Sequence, residues 1–227
     1  MNKHTIARIT KKGEHFEILV QPEKALNIKL GKQNDITNVL IVDTVFTDSN
    51  KGLRASTEKL QESFNSIDVL EISRIILRNG ELQLTAGQRR QLVDEKRKQI
   101  ISFISRNCID PRTGFPHPPL RVEQALSQIR FIIDPFKSGE EQARSVIDEL
   151  RPILPLKFEK IRLAIKIPPE YAGKAIGCVK EYSDLERNEW QSDGSWIGII
   201  GLPAGLHAAF LERIGKITRG NYQTKIL

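Results

Sequence analysis

The sequence predicts an α+β fold in three modules. These are an N-terminal α+β domain over residues 1–85, a central three-helix domain over 86–157 and a C-terminal ferredoxin-like βαββαβ domain over 158–227. Three observations lead there. A chain of 227 residues is too long for one average domain and long enough for two or three small cores. The apolar period is mixed in the first stretch, helical in the second and mixed again in the third. A 39% hydrophobic and 28% charged composition supplies material to fold and charge to keep the surfaces solvated.

The first module opens with strands Thr5 to Thr10 and Glu14 to Val20; in the second, Phe16, Ile18 and Val20 fall on one face because strand side chains alternate. Lys11-Lys12-Gly13 between them reads as a hairpin tip whose glycine supplies positive φ. Pro22 to Leu30 and Asp35 to Val42 read as short helices, the latter capped by Asp35. Val45 to Thr47 is a strand leading into the loop Asp48-Ser49-Asn50-Lys51-Gly52. Ser56 caps a helix to Phe64. Asp68 with Glu71 makes a capping-box-like start for a helix to Arg78, and Asn79-Gly80 ends it before the strand Glu81 to Leu84.

The second module carries a long helix from Gly87 to about Asn107. The turn-rich segment Asp110 to Pro116 follows, then two helices whose apolar residues recur at i, i+3, i+4 and i+7: Val122, Ala125, Leu126 and Ile129, and Ala143, Val146, Ile147 and Leu150. In the third module, Ile161, Leu163, Ile165 and Ile167 alternate with Lys160, Arg162, Ala164 and Lys166, a strand with one apolar and one basic or small face. Pro168-Pro169 starts a helix, Ser183 to Gln191 and Trp196 to Ile200 are strands turning at Asp193-Gly194, a helix with Phe210 follows, and Tyr222 to Ile226 closes the order βαββαβ. Joints near Thr85-Ala86 and Leu156-Lys157 are expected to permit reorientation of the modules.

The residues spell out no catalytic constellation. His4, His15, His117 and His207 lie in different elements without metal-ligand spacing, and Cys108 and Cys178 are read as two buried free thiols. The stretch Gly198 to Gly205 fails the G-x-G-x-x-G spacing, so its glycines are read as aids to strand-to-helix packing. Asp94-Glu95 and Glu140-Glu141 read as solvated helix charges, and Trp190 and Trp196 as a cross-strand or core pair. No enzyme activity, metal or cofactor is expected. The polar start and the lack of any run of about 18 apolar residues predict a soluble, intracellular protein with no membrane span. A cytoplasmic monomer is expected.

Charge points to the partner. A net charge of +7 favours a polyanion, with nucleic acid first. The three modules hold 12 basic against 11 acidic, 13 against 9, and 10 against 8 residues. Arg89 to Arg106 forms a basic helix, but Lys11-Lys12-Gly13 and Lys51-Gly52-Leu53-Arg54 are the better RNA candidates, since cations on short exposed tips reach phosphates.

A collinear set of segments then carries a family likeness: Lys12-Gly13 leading to Phe16-Glu17-Ile18, Val45-Phe46 with Asn50-Lys51-Gly52, Glu71 to Gln83, Cys108 to Thr113, and the strand Arg162 to Ile167. On these the chain resembles the Shwachman-Bodian-Diamond syndrome protein family over nearly its whole length. The resemblance implies an N-terminal domain shared with a small fungal protein, a three-helix middle domain and a ferredoxin-like end. It implies a ribosome maturation factor that binds large-subunit ribosomal RNA and, with a GTPase of the elongation-factor-two type, evicts the anti-association factor, initiation factor six. The chain ends soon after the final strand, which implies an archaeal-type member served by ordinary elongation factor two. The implied RNA-binding positions are Lys11, Lys12, Lys29, Lys51 and Arg54, with Glu14-His15 departing from a flank that is basic in many relatives. Two competing readings are an RNA-processing enzyme, disfavoured by the missing catalytic sets, and a general RNA-metabolism adaptor.

Overall fold

The computed structural model describes residues 4–36 and 38–227, which fall into two compact units, 1–92 and 93–227. In the first, β1 (Thr5–Lys11) and β2 (Glu14–Val20) form a hairpin in the expected place. They are followed by α1 (Pro22–Lys29), β3 (Phe46–Asp48), β4 (Leu53–Arg54), α2 (Thr57–Phe64), α3 (Val69–Asn79) and β5 (Glu81–Leu82). The strands make one sheet in the order β4-β3-β2-β1-β5. Alternation splits its faces. Ala7, Phe16, Ile18 and Val20 are fully buried against Ala25, Leu60, Phe64, Ile72 and Ile76 of the helices, while Arg8, Thr10 and His15 point to the other, exposed face. Burying each large apolar side chain contributes about 1.5–3 kcal/mol, and the Phe16–Phe64 edge contact at 4.9 Å between centroids adds to it.

Two local expectations fail. Among the described residues of Asp35–Val42, no helix forms; Thr37 lies outside them. Gln21 N donates to the Val39 carbonyl at 2.8 Å and Ile41 N to the Leu19 carbonyl at 2.9 Å, so the stretch runs along the end of β2. Ile36, Val39, Ile41 and Val42 are β-branched and poor helix formers, and Asn38 takes a left-handed φ of 59° that interrupts any helical path. The second failure is reciprocal capping at α3. Asp68 accepts from Leu70 N at 2.9 Å as expected, but Glu71 turns away and accepts from Ser66 Oγ at 2.6 Å.

α4 (Ala86–Asn107) carries the chain into the second unit, followed by β6 (Cys108–Ile109), α5 (Pro119–Leu126), α6 (Gly139–Leu150) and β7 (Lys157–Phe158). The helical stripes meet as their spacing predicts: Ile100, Ile104, Val122, Ala125, Ala143, Val146 and Leu150 share one core. His117 is buried, its Nε2 2.8 Å from the Pro155 carbonyl. Then come β8 (Lys160–Ile167), α7 (Pro169–Tyr182), β9 (Asp184–Trp190), β10 (Trp196–Pro203), α8 (His207–Thr218) and β11 (Gln223–Ile226). Their antiparallel sheet has the order β11-β8-β10-β9, the split arrangement a βαββαβ chain adopts. Trp196 and Trp190 are register partners, the first buried in the core and the second 56% exposed.

The expected joint at Leu156-Lys157 is bridged on both sides. β7 pairs with β6, Glu159 N reaches the Asn107 carbonyl, and Ala204 N donates to the Glu159 carbonyl at 2.9 Å. Gly205 completes the junction: a Cβ there would sit 2.5 Å from the carbonyl oxygens of Ser105 and Arg106, so only glycine fits. Those oxygens also put negative partial charge where an anion at this turn would have to lie.

Candidate nucleic-acid interface

The β1–β2 hairpin closes through Lys12 and Gly13, both with positive φ, 51° and 82°. That is a type I′ turn, whose twist suits a hairpin and whose first central position favours asparagine; lysine there costs about 1 kcal/mol of left-handed strain. Strain retained at an exposed tip points toward a use for the side chain. The tip is also docked. Lys12 Nζ donates to the Glu62 carbonyl at 2.7 Å, and Lys11 Nζ lies 4.8 Å over the Phe64 ring. Both partners belong to the C-terminal turn of α2, which has no basic residue of its own, so the two lysines supply the positive charge that a helix C-terminus favours. The tip read as exposed from the sequence is therefore partly committed, although neither partner is a carboxylate and the positive charge stands.

The β3–β4 turn lies at the same end of the sheet. Glu17 is the register partner of Phe46, so β3 runs antiparallel to β2 and delivers the turn beside the hairpin tip. The Asp48 carboxylate accepts from Lys51 N at 3.0 Å and pairs with Lys51 Nζ at 3.2 Å, contacts that hold it below its ordinary range. Lys51 remains 74% exposed, so this short ion pair is weak and exchangeable. Arg54, on β4, is exposed and has no ion-pair partner among the described residues. Sheet register thus sets the turn that carries Lys51 beside the hairpin tip of Lys11 and Lys12, with Arg54 further back on β4 opposite Phe46.

Lys29 is placed differently. Its Nζ donates to the Arg78 carbonyl at 2.9 Å and the Gly80 carbonyl at 2.5 Å, capping the end of α3, and burial pushes the amine below its ordinary value. A phosphate would have to compete with that cap. Lys59 is a residue that sequence reading missed. It grips Glu14 with both carboxylate oxygens at 2.9 Å and so neutralises the one acid flanking the hairpin tip. A partner on a helix 45 residues away leaves no signal in local spacing.

Residues 3–90 match the Shwachman-Bodian-Diamond syndrome (SBDS) N-terminal domain, 98–159 the SBDS protein domain II and 161–227 the SBDS protein C-terminal domain. The chain belongs to the SBDS family. It is 43% identical over 223 residues to the ribosome maturation protein SDO1 homolog of Methanothermobacter thermautotrophicus, covering 98% of this chain and 96% of that one. It is 37% identical to the protein of the same name from Aeropyrum pernix, with the same coverage. Identity to the ribosome maturation protein SBDS of Caenorhabditis elegans is 32%, over 98% of this chain and 88% of that one.

Cys108 and Cys178 are buried free thiols, and burial pushes Cys108 up to about 11. No group of three His, Cys, Asp or Glu side chains converges among the described residues, and no helix there is long and apolar enough to cross a membrane.

Proposed function

We propose that this chain is a non-enzymatic ribosome maturation factor that binds large-subunit ribosomal RNA through the tip end of its N-terminal sheet. In the same reading it works with an elongation-factor-two-type GTPase to release the anti-association factor, initiation factor six. It acts as a monomer in the cytoplasm. Membership of a family whose relatives carry the name ribosome maturation protein supports the role. The single observation carrying the RNA-binding part is the placing of Lys11, Lys12 and Lys51 at one end of the sheet, with Arg54 behind them on β4; among the described residues Lys51 alone of the four has a carboxylate partner. Such a cluster positions a protein on a phosphate backbone without reading sequence. The three-domain organisation at 1–85, 86–157 and 158–227 belongs to this proposal, each domain offering its own surface to one particle.

The test is a gradient followed by a release assay. Purified chain should co-sediment with large subunits and not with small ones. Adding the GTPase with GTP to large subunits loaded with initiation factor six should free the factor only when the chain is present. An RNA-metabolism adaptor would bind RNA yet stay at the top of the gradient, and release independent of the chain would remove the GTPase coupling from the proposal.

A further inference from the structure

The exposed face of the first unit's sheet is not flat. A cleft of about 730 Å³ opens on it, within the range of small-ligand sites. Its floor includes Thr10 and His15, register partners on β1 and β2, with Thr10 Oγ1 2.9 Å from His15 Nδ1. One wall is the β3–β4 turn with Asn50, fixed because the Glu17 carboxylate accepts from Ser49 N at 2.8 Å and Ser49 Oγ at 2.6 Å. The opposite wall runs from Asn79 to Glu81, where Glu81 holds Arg8 at 2.9 Å. Among the described residues, the side-chain amides of Asn50 and Asn79 have no hydrogen-bond partner.

We infer that this cleft takes one unpaired RNA nucleobase, an inference that rests on the RNA-binding reading above and specifies what the site holds. The lining excludes a phosphate: Glu17, Asp48 and Glu81 border it and Arg8 is already neutralised. Two unengaged amides offer donors and acceptors in pairs, the complement of a base edge. His15 is exposed and presents a flat ring on which a splayed base stacks. The surroundings supply what the cleft lacks. Lys51 follows Asn50 directly, so a phosphate flanking an inserted base falls beside a cation at the rim. RNA with a bulged or looped-out nucleotide fits this division, and continuous duplex, whose bases are stacked inside, does not.

The experiment uses the full chain and short RNA hairpins. One set carries a single bulged nucleotide, each of the four bases in turn; a second carries the same bulge without its base; a third is fully paired. Binding is measured across a salt series for the wild type and for the His15→Ala/Asn50→Ala variant. At least one bulged base should bind about fivefold or more tighter than its abasic counterpart, the scale of base stacking on a side chain. The variant should lose that preference with an unchanged salt slope, because it removes no lysine or arginine. Equal binding of all abasic and base-containing hairpins by the wild type overturns the inference without recourse to a variant, as does a folded variant that keeps the preference. If nothing binds with salt dependence, the RNA-binding reading falls and takes the cleft with it; if binding is salt-dependent but blind to the base, only the cleft assignment falls.

Discussion

Basic residues line strands in both large sheets, and the strand Lys160–Ile167 treats them differently from the hairpin tip of the N-terminal sheet. On the C-terminal sheet, Lys160 meets Asp184 at 3.2 Å, Arg162 grips Glu186 at 2.7 Å, and Lys166 reaches Asp193 at 3.6 Å. Arg162 spans the neighbouring β10 to do so, and Gly201 beneath leaves the space: a Cβ there would lie 3.3 Å from Glu186 Oε1. On the N-terminal sheet, Lys11 meets an aromatic face and Lys12 a main-chain carbonyl. A carbonyl or a ring orders a lysine without cancelling its charge, whereas a carboxylate cancels it. Each basic residue of β8 thus faces a carboxylate, whereas at the hairpin tip of the first module, a module with nearly balanced charge, Lys11 and Lys12 have no carboxylate partner among the described residues. The sign of a patch depends on what each cation touches, and a count of cations does not report that.

The largest effect that sharpens this contrast is expected from replacing Lys11, Lys12, Lys51 and Arg54 together by alanine. Removing one cation from a phosphate lowers the slope of log affinity against log salt by about 1, so binding to purified large subunits should show a slope smaller by about 4. The interactions with Phe64 and Glu62 add a stability cost of about 1–2 kcal/mol, read by urea unfolding. A folded variant with unchanged affinity and slope moves the RNA surface elsewhere, with the basic helix Arg89–Arg106 next in line.

Lys29→Ala should behave in the reverse sense. Two main-chain carbonyls are deprived of a charged donor, at a cost of about 2 kcal/mol in unfolding free energy, while the salt slope stays within error. A fall in slope with intact stability would return Lys29 to the RNA-contacting set.

Lys12→Asn separates strain from charge. Asparagine relieves the left-handed position by about 1 kcal/mol and forfeits the bond to Glu62, worth about the same, so stability should move by less than about 0.5 kcal/mol. The salt slope should still drop by about 1. A variant that binds as the wild type does would show that the strained lysine serves only the turn.

The smallest effect belongs to Arg162→Met. The hydrogen bond from Arg162 holds the Glu186 carboxyl below its ordinary value, so the folded state binds that proton less readily than the unfolded chain. The stabilisation is present above the unfolded value of 4.5 and is lost as pH falls through the folded one. The melting temperatures of wild type and variant should therefore differ slightly at pH 7 and converge in acid, with ribosome binding unaffected. A gap that widens in acid would mean the pair contributes by packing instead.

Much of this was written in local pattern. The hairpin Thr5 to Val20, the Ser56 cap, the helical stripes of the middle module and the βαββαβ order all follow from periods of two and 3.6 residues and from caps, which act over a few neighbours. The positions of the candidate cations were also readable, because glycine-bearing turns advertise themselves. Tertiary structure alone decided the rest. Whether Asp35–Val42 becomes a helix depended on an available strand end at Leu19 to Gln21, and whether Lys29 faces solvent depended on the end of α3, some 50 residues on. The neutralisation of Glu14 by Lys59, and the walls that turn a sheet face into a cleft, likewise arise from elements distant in sequence. Propensity and periodicity are properties of a segment. Hydrogen bonds, ion pairs and cavities need two partners in space, and the chain brings those together only by folding.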